Sequence, residues 1–197
     1  MPERVMRVVH RAEVPSYRGE VATGIPGDVR IWFIALLAIQ GFHLVEHLTQ
    51  VVQRYFLGIP NGAGILGSVA DIEPVHFLYN AGYFALLVLV CVQLDLVRDG
   101  PERVGRHVFA LMVFTLFFQG YHVVEHVAKM IQYLQLSMQN GTGGILGTGP
   151  GAMLPLFPVP LLHLGYNLMA YLPAVLAFVL LLRPKPATRT VTLAEAA

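Results

Sequence analysis

The sequence predicts an all-α, polytopic membrane protein: a four-transmembrane-helix bundle built from two tandem, parallel helical-hairpin repeats. Three observations carry this expectation. Apolar residues make up 55% of the 197-residue chain and charged residues only 13%. A soluble domain carries about 25% charged residues, and a surface as poor in charge as this one does not stay dissolved. Four apolar segments each exceed the ~20 residues that an α-helix needs to cross the hydrocarbon layer. Finally, the polar residues inside the first and third of these segments repeat one another.

Residues 1–30 form a polar tail with Arg4, Arg7, Arg11, Arg18 and Arg30. The apolar run that follows starts too late and continues too long for a cleaved signal peptide, so Ile31–Phe56 is a first span. Pro74–Val97 is a second, and together they make repeat one, 31–97. The 98–106 connection carries Arg98, Arg103 and Arg106. His107–Leu136 and Leu154–Leu182 are the third and fourth spans, in repeat two, 107–183. Residues 184–197, PKPATRTVTLAEAA, read as a disordered tail. Eleven of the thirteen Lys and Arg lie in residues 1–30, 98–106 and 183–197. Cytoplasmic segments collect such residues, so both termini are expected in the cytoplasm, in the inner membrane of the cell, with connections 57–73 and 137–153 outside.

The repeat is legible residue by residue. Gln40-Gly41-Phe42-His43-Leu44-Val45-Glu46-His47 recurs as Gln119-Gly120-Tyr121-His122-Val123-Val124-Glu125-His126. Asn61-Gly62-Ala63-Gly64-Ile65-Leu66-Gly67 recurs from Asn140 to Gly147, and His76 with Asn80 recurs as His163 with Asn167. Residues three and four apart share a helix face, so His43, Glu46 and His47 project together, as do His122, Glu125 and His126. At about 1.5 Å rise per residue, His43 to His47 lie roughly 6–12 Å below the outer end of their span, and His76 and Asn80 roughly 3–9 Å below theirs. Six histidines and two glutamates can therefore meet at one level, toward the outer face.

Ionisable groups inside a membrane cost about 2.5–3.5 kcal/mol each on the insertion scale. Apart from Asp95, near the inner end of the second span, Glu46 and Glu125 are the only acids within the spans. A metal ion would offset that cost. His43, Glu46, His47, His76, His122, Glu125, His126 and His163 are the expected ligands of a dinuclear centre of iron, copper or zinc. Imidazole donors do not suit magnesium or calcium. Gln40, Asn80, Gln119 and Asn167 are expected to orient the distal ring nitrogens, and Tyr79, Tyr121 and Tyr166 to donate protons or carry an electron. The function expected is that of a membrane oxidoreductase or oxygenase-like protein acting on a small or lipophilic substrate.

Two alternatives stay open. A di-haem b-type electron carrier would use the pairs His43–His76 and His122–His163, with Gly41, Gly82, Gly120 and Gly165 admitting the porphyrins. Such a site leaves Glu46, His47, Glu125 and His126 without a role. A metal-ion or proton transporter would need ligands on both sides of the midplane, and the inner half of every span is nearly free of polar side chains. The H-x-x-E-H spacing matches that of inverted zinc proteases, but here it occurs twice, inside spans, with no soluble domain around it. The lone Cys91 excludes an intrachain disulfide and any cysteine-built metal cluster. A net charge of +1 leaves no basic surface for nucleic acid. Partners expected are the lipid bilayer and other membrane subunits or an electron-transfer protein. The glycine-rich loops at 62–67 and 141–151 are expected to cap the site, and Pro155, Pro158 and Pro160 to set the start of the fourth helix. The Asn140 glycosylation sequon reads as an accident, and His10 and His107 as ordinary surface histidines.

Overall fold

The computed structural model describes residues 25–60, 62–68, 72–136, 143–147 and 158–183. The segments 1–24 and 184–197, His10, the Asn140 sequon and Pro155 lie outside the described residues. Helix α1 spans Gly27–Tyr55, α2 Ile72–Gln93, α3 Gly100–Val104, α4 Arg106–Leu136 and α5 Val159–Leu182. No strand occurs among the described residues.

The four long helices are each long and apolar enough to cross a membrane. They pack as a ring in which α1 touches α2 and α5, and α4 touches the same two neighbours. A third or less of each span is buried inside the molecule. Ile34, Leu48, Leu78, Val92, Phe117 and Leu172 point outward, and lipid is the solvent that suits such a surface.

Helices α1 and α2 begin at Gly27 and Ile72, a few residues before Ile31 and Pro74, and two further boundaries differ for a local reason. The second helix stops at Gln93, not at Val97. Asp95 takes a left-handed φ of 56°, which Asp tolerates better than most residues. Its N–H then bonds the Val92 carbonyl at 2.9 Å and the Leu96 N–H bonds the Cys91 carbonyl at 3.1 Å. This pattern closes a helix C-terminus by satisfying its last carbonyls. Asp95 consequently lies in a turn outside the helix, where Arg103 of α3 pairs with it at 3.0 Å. The fourth long helix starts at Val159 rather than Leu154, with Pro158 just before it and Pro160 in its first turn. There a missing N–H costs nothing.

The end of the bundle that holds the chain-terminal ends of α1 and α5 is filled by an apolar core. Phe33, Leu36, Tyr83, Leu87, Val90, Met112, Ala170, Ala174 and Ala177 are buried there. The other end, which carries the loops at 62–68 and 143–147, holds the buried polar residues.

Candidate metal centre

The floor of the polar region is a layer of amides. Gln40 Nε2 donates to Asn167 Oδ1 at 2.6 Å, tying α1 to α5. Gln119 Nε2 donates to Asn80 Oδ1 at 3.0 Å, tying α4 to α2. Each Asn Nδ2 returns to the carbonyl one turn earlier, Asn80 to His76 at 2.9 Å and Asn167 to His163 at 2.8 Å. These four residues therefore hold helix to helix. They do not bond ring nitrogens, contrary to the sequence expectation.

Above this floor the six histidines meet. His43 and His47 on α1 bring their Nε2 atoms to 3.0 Å, and His122 and His126 on α4 bring theirs to 3.2 Å. An ion bound about 2.0–2.1 Å from two imidazole nitrogens, at an angle of about 90–110°, separates them by about 2.9–3.4 Å. Both pairs have that spacing. A third ring joins each pair from the neighbouring helix, and within each of the trios His43–His47–His76 and His122–His126–His163 one nitrogen from every ring lies within 4.8 Å of the others. All six rings are buried, none more than 5% exposed. The trios touch, since His47 stacks on His163 with centroids 5.4 Å apart and His76 on His126 at 6.2 Å.

Second partners fix the ring orientations. His47 Nδ1–H donates to Gln50 Oε1 at 2.9 Å, which leaves its Nε2 lone pair facing the cluster. His163 Nδ1–H donates to the Val159 carbonyl at 2.8 Å with the same result. Tyr79 lies over the His43 ring at 5.2 Å, and Tyr166 over the His122 ring at 4.5 Å. Tyr121 sits one layer out, against Tyr166 at 6.2 Å.

The two glutamates, expected as ligands, are turned to the loops instead. Glu46 accepts the Ile65 N–H at 2.8 Å and the Leu66 N–H at 3.1 Å. Glu125 Oε1 accepts those of Ile145 at 2.8 Å and Leu146 at 3.2 Å, and its Oε2 has no partner. The physical reason is that consecutive backbone N–H groups satisfy the carboxylate oxygen they reach without a metal, which in Glu125 is Oε1 alone. Gly64 and Gly144 make this possible: φ is +80° and +68°, and a Cβ on either would collide with the carboxylate below it. Gln53 and Gln132 complete the grip, each exchanging two hydrogen bonds with the glycine backbone.

Three residues escaped the sequence reading. Gln50 did so because glutamine at a span end is unremarkable. Glu73 did so because it falls in the 57–73 connection, expected outside the bilayer, and Lys129 because a lysine near the outer end of a span reads as part of the neighbouring connection. They meet at 2.8 Å, with side chains 5% and 4% exposed. The i, i+3 spacings His47–Gln50, His126–Lys129 and Glu73–His76 are the signal that could have found them.

Comparison with protein-family models, curated proteins and solved structures finds no match for this chain.

Proposed function

We propose that this protein is a membrane-embedded metalloprotein that holds two transition-metal ions side by side, one in each histidine trio, and uses them for redox chemistry on a small or lipophilic substrate. The observation that carries the reading is the matched pair of trios, each with two Nε2 atoms at 3.0 or 3.2 Å and a third imidazole from the next helix. Buried polar groups are expensive unless paired or bonded to metal, and a six-imidazole cluster is poorly satisfied by its own hydrogen bonds.

Ligand chemistry narrows the metal. Non-haem iron commonly takes a carboxylate with two histidines, whereas imidazole alone suits copper and zinc. Copper is the redox-active member of that pair. Charge points the same way. Six neutral imidazoles leave Glu46 and Glu125 as the balancing anions, since Glu73 is already paired with Lys129. Two monovalent ions match two carboxylates; two divalent ions would call for an exogenous anion.

The packing disfavours haem. The His43 and His76 rings are 5.4 Å apart and tilted by 45°, with His47 and Tyr79 against the same His43 ring. A porphyrin would have to separate all four. The glycines expected to admit it lie elsewhere: Gly41 faces Tyr171, Gly120 faces Phe84, and Gly82 and Gly165 have open space beside them. Transport is disfavoured by the apolar core that closes the other half of the bundle.

The test is elemental analysis and optical spectroscopy of protein purified in mild detergent. Up to two copper, zinc or iron per chain are expected, with no Soret band. A His43→Ala/His122→Ala variant should lose them. A metal-free wild type, or full metal content in that variant, would overturn the centre. A centre with no reversible redox transition would remove the oxidoreductase reading and leave the metal site.

A further inference from the structure

The two trios are matched in geometry but not in what supports them. In the first half, position 50 is Gln, and its Oε1 accepts the His47 Nδ1–H at 2.9 Å. The corresponding position in the second half is Lys129. An ammonium has donors only and cannot accept from a ring N–H. Its Nζ is committed to Glu73 of α2 at 2.8 Å, and His126 Nδ1 has no partner. His43 and His122 do not offset this difference, because Nδ1 lacks a partner in both. Yet a histidine that binds metal through Nε2 carries its proton on Nδ1, and that N–H needs an acceptor.

We infer that the trios are unequal, with His43–His47–His76 filling first and His122–His126–His163 filling second, so that the centre passes through a defined one-metal state. The inference rests on the metal reading above and adds an order of loading to it. Loss of a hydrogen bond to a ligating histidine typically lowers metal affinity about 10–100-fold, and that is the separation expected between the two binding steps. The sequence repeat therefore gives two sites of one design, and the divergence of Gln50 to Lys129 assigns them different roles: one retained ion and one exchangeable ion.

The test is a zinc(II) titration of apo protein in detergent against a chromophoric chelator. Wild type should bind two equivalents in two steps separated by tenfold or more. His76→Ala should remove the tight step and His163→Ala the weak one. Glu73→Gln/Lys129→Gln supplies an acceptor for His126 without stranding a buried carboxylate, and should bring the two steps together. Gln50→Leu should do so from the other side, by weakening the first. Two equivalents of indistinguishable affinity in wild type would overturn the inference while leaving the metal centre intact, as would a tight step that survives His76→Ala. A single equivalent shared by all six rings would also overturn it. No zinc binding at all would overturn the centre and the order of loading together.

Discussion

Lys129 and Glu73 place two full charges inside the bundle, each side chain 5% exposed or less, and each depends on the other for compensation. Breaking a buried pair by removing one partner typically costs about 3–5 kcal/mol, because the other charge is left without compensation. Replacing both with apolar residues of similar size is often neutral. Lys129→Met is therefore expected to destabilise the protein by that amount, and Glu73→Leu/Lys129→Met by far less. Denaturant unfolding in micelles checks this, and equal losses in the two variants would mean that the charges are hydrated in place. The pair also explains a limit of sequence reading. Glu73 stands just before Pro74, and Lys129 lies 23 residues into α4, so neither looks buried on a hydropathy profile. Their depth is set by how α2 and α4 are staggered. The histidines, by contrast, announce themselves, because H-x-x-E-H recurring inside two apolar runs has no lipid-facing explanation.

At the scale of elements, each hairpin is a helix, a loop segment folded back on it, and a second helix. The loop is held by two side chains of the first helix: Glu46 on the Ile65 and Leu66 N–H groups, and Gln53 on both polar groups of Gly64. Glu125 and Gln132 repeat the grip on Gly144 to Leu146. Sequence spacing correctly put the glutamates on the histidine face. It could not show that their oxygens reach past the rings to the loop, since that depends on the left-handed turn at Gly64 or Gly144. Gly64→Ala is expected to unseat the first loop, through both the Cβ collision with Glu46 and a left-handed conformation that costs an L-residue about 1–2 kcal/mol. Hydrogen–deuterium exchange should rise at residues 62–68 and stay unchanged at 143–147. Unchanged exchange in both loops would show that Glu46 does not hold the loop. The short helix α3 was unforeseen for a related reason, as it depends on the helix stop at Asp95, where Asp does the work usually given to Gly.

At the scale of the whole molecule, the halves are interleaved. Each histidine trio joins the two helices of one hairpin, whereas the amide floor joins α1 to α5 and α2 to α4. Metal binding would consequently tie helices already tied crosswise by Gln40–Asn167 and Gln119–Asn80. An ion at 100 times its dissociation constant adds about 2.7 kcal/mol per site, so zinc should raise the thermal unfolding temperature of wild type and leave that of His43→Ala/His122→Ala unmoved.

The polar and apolar ends of the bundle also bear on its placement in the membrane. The ring of long helices puts the start of α1, the α2–α4 connection and the end of α5 at one end, and both described loops at the other. Arg98, Arg103, Arg106 and Arg183 belong to the first end, and the bias of Lys and Arg toward the cytoplasm predicts that the histidine end faces the opposite side. Impermeant maleimide labelling of intact cells tests this with single cysteines. The native Cys91 is buried, 5% exposed, and contributes little background. Ile65→Cys, exposed on the first loop, should label from outside, and Glu102→Cys, exposed on α3, only after the cells are opened. The reverse pattern would turn the bundle over and put the histidine end in the cytoplasm, where metal delivery and the acceptable redox partners are different. Labelling of both cysteines from outside would be incompatible with the single span, α2, between them and would dismantle the four-span arrangement itself.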